Sequence, residues 1–144
     1  MNLHFEKVTI NDLKWLNYLT IKDSQINYVE SIEDSLLLQE NDSSWKARAI
    51  YDNQILVGFV LYGFIDNEVW IDRYLIDQRY QGRGYGKNAL KLIIEELKKT
   101  YQQPILYLSV FKENNVAINL YQKLGFEFNG QLDSKGELVM ELKL

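Results

Sequence analysis

The spacing of apolar positions changes along the chain between the period of a strand and the period of a helix. Residues 3–8 alternate between apolar and polar side chains, which predicts a strand. Leu90, Ile93, Ile94 and Leu97 instead recur at the spacing that puts them on one face of a helix. Along the whole chain the pattern predicts about seven strands and about four helices, in the order β-α-α-β-β-β-α-β-α-β-β.

Local signals set the boundaries of these elements. Ser31 followed by Asp34 is typical of a capping box, and Thr9 or Asn11 caps the helix before it. The predicted strands cover residues 3–8, 46–51, 55–64, 68–76, 105–111, 126–130 and 137–144. The predicted helices lie around residues 13–19, 32–39, 84–101 and 114–125. This order predicts an α/β fold in which residues 1–144 form a single domain around a mixed sheet, with helices on both faces.

Composition excludes several kinds of chemistry. The chain has no cysteine, so it has no disulfide, thiolate metal site or cysteine nucleophile. A single histidine, His4, argues against a histidine metal site and a Ser-His-Asp triad, and we expect no metal. No apolar run approaches the length of a membrane span, and residues 1–10 lack the apolar core of a signal peptide. We therefore expect a cytoplasmic protein with no membrane partner.

The charge is unevenly distributed. The net charge of −4 argues against nucleic acid as a partner. Residues 1–45 contain eight acidic residues and three lysines, which leaves the rest of the chain close to neutral. This acidic segment either attracts a cationic small molecule or is simply a solvated surface, and charge alone does not separate the two interpretations.

The most informative stretch is the glycine-rich segment at residues 80–87. It follows a predicted strand and opens a predicted helix, where glycines let the backbone approach a ligand and the first N–H groups of the helix bind anions. Arg83 and Lys87 add positive charge. These features predict a phosphate-binding turn.

Two familiar phosphate motifs do not fit this turn. A Walker A loop fails because Gln81 replaces its first glycine and Asn88 follows the lysine, and the dinucleotide fingerprint fails because Lys87 stands where its third glycine is needed. The pattern that fits is Gln-x-x-Gly-x-Gly, formed by Gln81, Gly84 and Gly86.

That pattern resembles the pyrophosphate-binding motif of the GNAT superfamily of N-acetyltransferases. A second segment, residues 114–126, is similar to the superfamily's Asn-x-x-Ala-x-x-x-Tyr-x-x-x-Gly-Phe sequence. Residues 25–31, 69–77 and 125–133 further resemble bacterial spermine/spermidine (diamine) N-acetyltransferases. The resemblance implies the GNAT fold. It also implies transfer of an acetyl group from acetyl-CoA to a primary amine in a ternary complex, with a polyamine or diamine such as spermidine as the expected acceptor.

The resemblance also implies how coenzyme A is held. The turn would bind the pyrophosphate, and the backbone of the fourth strand would pair with the pantetheine arm, which requires the fourth and fifth strands to separate. Asn114 would bind from the opposite wall. The predicted cofactor-binding residues are Tyr74, Leu75, Ile76, Gln81, Gly82, Arg83, Gly84, Tyr85, Gly86, Lys87 and Asn114.

Tyr121 matches the superfamily's general acid. A phenol keeps its proton at neutral pH and is able to donate it to the departing thiolate. The alternative is a core tyrosine that packs against Leu124 and Phe126.

The acceptor side is less well defined. A protonated amine is not a nucleophile, so a base or a water chain must remove its proton. Asp72, on the fourth strand with Tyr74 and Ile76, is the predicted catalytic carboxylate, because it is similar to one that some polyamine acetyltransferases use at the matching place. The alternative is an ion pair of Asp72 with Arg73 or Arg79. The predicted acceptor-binding residues are Tyr28, Glu30, Glu33 and Asp72. The two glutamates have the alternative of being solvated.

Other functions remain open at this stage. The acceptor amine could belong to a protein N-terminus, a lysine side chain or an aminoglycoside, or the chain could be a non-catalytic module that binds coenzyme A. The family resemblance makes a homodimer possible.

Overall fold

The computed structural model of the protein describes residues 1–20 and 31–144. Its strands are β1 (Leu3–Lys7), β2 (Trp45–Asp52), β3 (Ile55–Ile65), β4 (Glu68–Ile76), β5 (Ile105–Val110), β6 (Glu127–Leu132) and β7 (Leu138–Lys143). Its helices are α1 (Leu13–Leu16), α2 (Ile32–Asn41), α3 (Tyr85–Tyr101) and α4 (Asn115–Lys123). The predicted order of elements is confirmed.

All strands join one seven-stranded sheet in the order β1-β2-β3-β4-β5-β7-β6. The pair β4 and β5 is parallel and the other neighbours are antiparallel, which makes the sheet mixed, as predicted. The single parallel pair arises because α3 crosses over between its two strands.

The N-terminal helices differ in detail from the prediction. Thr9, not Asn11, is the cap, and it starts a short 3₁₀ turn at Ile10–Asp12 that leads into α1. Helix α1 ends at Leu16, and beyond its cap the N–H groups of Tyr18 and Leu19 bond three residues back, a tighter turn than the α-helix. In α2, the Ser31 hydroxyl accepts the N–H of Asp34 at 3.1 Å, as predicted.

The sheet buries a hydrophobic core on each face. Helix α3 buries Leu90, Ile93 and Leu97 against one face, together with α4. Leu16 of α1 and Leu36 of α2 are fully buried against the other face. The predicted helical spacing in α3 is therefore the spacing of its contacts with the sheet.

The two central strands separate partway along the sheet. Strand β4 pairs with β5 at Val69, Trp70 and Ile71, and in the part of the chain that the structure describes this pairing does not continue beyond Ile71. Residues 73–76 of β4 remain paired with β3 on their other side. The separation implied by the family resemblance is confirmed, and it leaves one edge of β4 open in the middle of the sheet.

Candidate active site

A cleft of about 980 Å³ opens where β4 and β5 separate. Its walls are β4, the glycine-rich turn, α4 and the turn between β6 and β7. Among the residues predicted for the site, those that line the cleft are Asp72, Tyr74, Leu75, Ile76, Gln81, Gly82, Gly84, Gly86, Lys87, Asn114 and Tyr121. Thus the structure brings the two sequence motifs together around one cavity.

The glycine-rich turn leaves the start of α3 open to a ligand. Gly82 and Gly84 adopt left-handed backbone angles, with φ of 77° and 87°, which side chains with a Cβ disfavour. Gly84 is the N-cap, and no side chain of the described residues caps the first turn of this 17-residue helix. The side-chain amide of Gln81 donates to the carbonyl oxygen of Ile76 at 2.8 Å and so fixes the turn to the end of β4.

Two predicted residues of this turn lie outside the cleft lining. The Arg83 guanidinium lies over the Tyr80 ring, 5.9 Å from its centroid. The Tyr85 hydroxyl donates to Asp52 at the end of β2, which fixes the start of α3 against the first hairpin. Binding of coenzyme A by Arg83 and Tyr85 stays a prediction.

Side-chain hydrogen bonds order both walls of the cleft beside the open edge of β4. The Tyr74 hydroxyl donates to the carbonyl oxygen of Gly86 at 2.6 Å, which ties the strand to α3, and burial raises the pKa of this phenol well above its usual value. On the opposite wall the Asn114 side chain caps α4, with its oxygen accepting the N–H of Ala117 at 3.4 Å.

Tyr121 is a cleft residue and a core residue at once. Its ring is 8% exposed and packs edge-on against Phe126, with centroids 5.8 Å apart. Burial, reinforced by the negative charge of Glu137, raises the pKa of Tyr121 to about 12. The phenol is therefore protonated at neutral pH and is able to donate.

Asp72 occupies an irregular position on β4. The β3 register passes from Leu61 opposite Arg73 to Tyr62 opposite Ile71, so Asp72 is the extra residue of a β-bulge. Its carboxylate lies 3.5 Å from the Arg73 guanidinium, whereas Arg79 binds Asp77 at 2.8 Å. Burial raises the pKa of Asp72, Arg73 opposes this, and the charge of Asp133 adds to it.

Sequence reasoning missed two carboxylates from the turn between β6 and β7. Asp133 and Glu137 line the same cleft as Tyr121 and Asp72. Burial and the neighbouring Asp133 carboxylate raise the pKa of Glu137 to about 7, with Lys135 opposing this and Asp72 adding to it. The turn composition around Gly136 was visible in the sequence, but the strand order that brings it beside β4 was not.

The far end of the cleft combines acidic and aromatic side chains, which the sequence analysis also did not single out. Asp66, Glu68, Trp45 and Trp70 line it. The Trp70 indole N–H donates to Glu68 at 3.3 Å, and its ring stacks on Tyr107 with centroids 5.1 Å apart. This end is suited to a cation with apolar segments.

The other predicted acceptor residues are not part of this lining. Glu33 is exposed on the first turn of α2 and does not contact the cleft as the structure describes it. Tyr28 and Glu30 lie outside the described residues.

Within residues 1–20 and 31–144 no helix has the length and apolar character needed to cross a bilayer. The same ranges contain no group of three or more His, Cys, Asp or Glu side chains placed to hold a metal ion.

The split sheet and the cleft beside β4 are those of an N-acetyltransferase. The model of the acetyltransferase (GNAT) family matches residues 9–126, and the chain belongs to that family. It is 39% identical over 152 aligned positions, covering 100% of both chains, to the spermine/spermidine N(1)-acetyltransferase of Bacillus subtilis strain 168.

Two crystal structures share the fold at 20% identity. One is the spermidine N-acetyltransferase of Vibrio cholerae in complex with CoA and spermine, with a TM-score of 0.76 over 99% of this chain and 95% of that one. The other is the PaiA N-acetyltransferase of Thermoplasma acidophilum in complex with coenzyme A, with a TM-score of 0.75 over 100% of both chains.

The chain is thus an acetyl-CoA-dependent N-acetyltransferase, and the residues present fit this cosubstrate. The donor supplies an acetyl group as a reactive thioester. The first turn of α3 offers N–H groups and Lys87 offers positive charge to a diphosphate, while the open edge of β4 offers backbone groups to the pantetheine amides.

Proposed function

We propose that the protein acetylates a primary amine of a polyamine or diamine such as spermidine or spermine. The observation that carries this acceptor class is the composition of the cleft beyond Tyr121. Three carboxylates, those of Asp72, Asp133 and Glu137, line the same cleft as Tyr121, and the acidic and aromatic end described above belongs to the same cavity.

The chemistry of a polyamine matches that composition. Its ammonium groups are separated by short methylene chains, so a ligand of this kind needs carboxylates at intervals and apolar walls between them. Carboxylates attract each ammonium, and an indole face attracts a cation within about 6 Å. The substrate named for the Bacillus subtilis relative supports the same acceptor class, because that protein matches this chain along its full length.

Each part of the chain then has a role. The glycine-rich turn and Lys87 bind the diphosphate, the backbone of residues 74–76 aligns the thioester arm, and Asn114 closes the other wall. Tyr121 donates its proton to the departing sulfur. Asp72 holds the reacting ammonium beside the thioester, since its carboxylate faces the same cavity.

The roles of the remaining predicted residues rest on the family resemblance. We assign Arg83 and Tyr85 to the coenzyme A side, where Arg83 would reach the ligand by leaving the Tyr80 ring. Glu33, with Tyr28 and Glu30, would cover the acceptor from the N-terminal segment. All five stay predictions.

The assay offers acetyl-CoA with spermidine, spermine, putrescine and a panel of peptides with free N-termini and lysines, and it measures free thiol and acetylated product by mass spectrometry. We expect thiol release with the polyamines and none above background with the peptides. Rapid release with peptides alone would assign the enzyme to a polypeptide acceptor. Binding of acetyl-CoA without transfer to any amine would make the chain a non-catalytic module.

The homodimer also stays a prediction. Strand β6 lies at the edge of the sheet and exposes Phe128 and Leu132, at 42% and 63%. A second copy that covers this edge would protect unpaired backbone groups and both side chains. Light scattering coupled to size exclusion should give twice the chain mass, and Phe128→Lys should reduce it to one chain mass if this edge is used.

A further inference from the structure

Glu137 enters the active-site cleft from an element that the sequence motifs do not include. It precedes β7, directly after the turn that joins β6 to β7, whereas Tyr121 reaches the cleft from α4 and Asp72 from β4. The three groups therefore converge from three elements. Glu137 and Tyr121 are close enough for the glutamate charge to raise the pKa of the phenol.

Hydrogen bonds within the turn fix the backbone position of Glu137. The backbone N–H of Glu137 donates to the Asp133 carboxylate at 2.8 Å, and the N–H of Asp133 donates to the carbonyl oxygen of Glu137 at 2.9 Å. The same carboxylate accepts the N–H of Lys135 at 2.9 Å. A base for catalysis must be fixed in this way, because proton transfer depends on a short donor–acceptor distance.

We propose that Glu137 is the catalytic base, taking a proton from the acceptor ammonium before that nitrogen attacks the thioester. The inference rests on the proposed function, since it needs an amine acceptor. It is distinct from the role of Asp72, which binds the ammonium and is already paired with Arg73.

The acceptor ammonium gives one proton to the Glu137 carboxylate, and the nitrogen lone pair then forms the new C–N bond. The C–S bond breaks with its electron pair on sulfur, which takes the proton of the Tyr121 hydroxyl. The second nitrogen proton returns to Tyr121 as the amide forms, and Glu137 releases its proton to solvent.

The charges around Glu137 favour this role. From its own turn it faces Asp133 and Lys135, from β4 it faces Asp72 and Arg73, and from α4 it faces Tyr121. Its pKa of about 7 lies near neutral pH, where a base is both available in its charged form and strong enough to take a proton. Burial also raises the pKa of Asp72, but Arg73 opposes this rise, and the Asp72 carboxylate is already paired with the Arg73 guanidinium at 3.5 Å.

The test is the pH profile of kcat/KM for the acceptor found active. We expect kcat/KM of the wild type to increase with pH, along an ascending limb, and to reach a plateau above about pH 7. Glu137→Gln should lose this limb and lower kcat about 10²- to 10⁴-fold, while the KM for acetyl-CoA stays unchanged. Asp133→Asn should keep its acceptor oxygen but move the limb to lower pH, because it removes the charge that raises the pKa of Glu137.

Two comparisons make the result decisive. Asp72→Asn should raise the acceptor KM and keep an ionisation limb, and Glu127→Gln, an exposed control outside the cleft lining, should leave the profile unchanged. If Glu137→Gln keeps the limb and most of its kcat, the inference is wrong even though the enzyme acetylates amines. If Glu137→Gln fails to fold, an unmoved limb in Asp133→Asn overturns it instead. If the wild-type enzyme acetylates no amine, that result contradicts the proposed function.

Discussion

At the scale of single residues, Tyr121 shows how packing and chemistry coincide. The same burial that places its ring against Phe126 raises its pKa to about 12. A phenol with this pKa is almost entirely protonated at neutral pH, so its hydroxyl is available to donate to the departing sulfur. The sequence analysis offered the acid and the core tyrosine as alternatives, but the cleft geometry supports both descriptions together.

Tyr121→Phe keeps the packed ring and removes the proton donor. We expect kcat to fall about 10²-fold or more, at the lower end of what a general acid contributes, with the Kd for acetyl-CoA changed by less than about twofold. Steady-state kinetics and calorimetry measure the two quantities. A kcat close to that of the wild type would exclude Tyr121 as the acid.

Glu137 gives a stability prediction with a definite sign. Its pKa in the folded protein, about 7, is above its ordinary value of 4.5, so its protonated form stabilises the fold. That contribution is fully present below about pH 4.5 and is lost as pH rises through about 7. Glu137→Gln cannot ionise, so its Tm relative to the wild type should rise between about pH 5 and about pH 8. Equal Tm differences at both pH values would contradict this environment for Glu137.

The sequence predicted some of these residues and not others for a physical reason. Tyr121 and Gln81 belong to short motifs whose spacing is fixed by a local turn or helix, so the sequence pattern alone is enough to recognise them. Glu137 carries no such local pattern. It becomes a neighbour of Tyr121 only because β7 inserts between β5 and β6, a pairing set by the whole sheet.

At the scale of elements, we propose that acetyl-CoA binding depends most on the glycine-rich turn. Gly84→Ala puts a Cβ on a residue with φ of 87°, and Gly130→Ala does the same in β6 at φ of 82°, away from the cleft. Each should cost about 1–2 kcal/mol of stability. We expect only Gly84→Ala to weaken acetyl-CoA binding by calorimetry, and equal weakening in both variants would point to a general loss of folding.

The elements also show where pattern reasoning stops. Alternation and caps predicted the bounds of β4 correctly at residues 68 and 76. They did not predict the bulge at Asp72, because an extra residue breaks the period of two on which the prediction depends. Nor did they show that Gly58 allows β3 to lie close to the open end of β4, where a Cβ would come 2.5 Å from the carbonyl oxygen of Leu75.

At the scale of the whole molecule, the cleft connects elements from both halves of the chain. Trp45 comes from β2 and Glu68 from the start of β4, while Glu137 comes from the last hairpin. The family resemblance predicted the fold and the cosubstrate, but the composition of this long cavity depends on tertiary packing. For that reason the acceptor residues were the part of the site that sequence reasoning identified least well.

The far end of the cleft should select acceptors by length. Glu68→Gln keeps an oxygen for the Trp70 indole but removes one charge. The KM should rise about threefold for spermine, because a single partly exposed ion pair contributes up to about 1 kcal/mol. It should change less for putrescine, because a shorter chain does not span the cavity. Steady-state kinetics with Glu127→Gln as control measures this. An equal change for both amines would exclude a distal subsite at Glu68.

The central claim is that the cleft beside β4 transfers the acetyl group of acetyl-CoA to a polyamine amine. The most direct measurement incubates the pure, folded protein with acetyl-CoA and spermidine and quantifies free coenzyme A and acetylated spermidine in the same sample. The account predicts the two products in equal amounts, both abolished when either substrate is omitted. Protein that binds acetyl-CoA yet forms no acetylated spermidine, spermine or putrescine would contradict it.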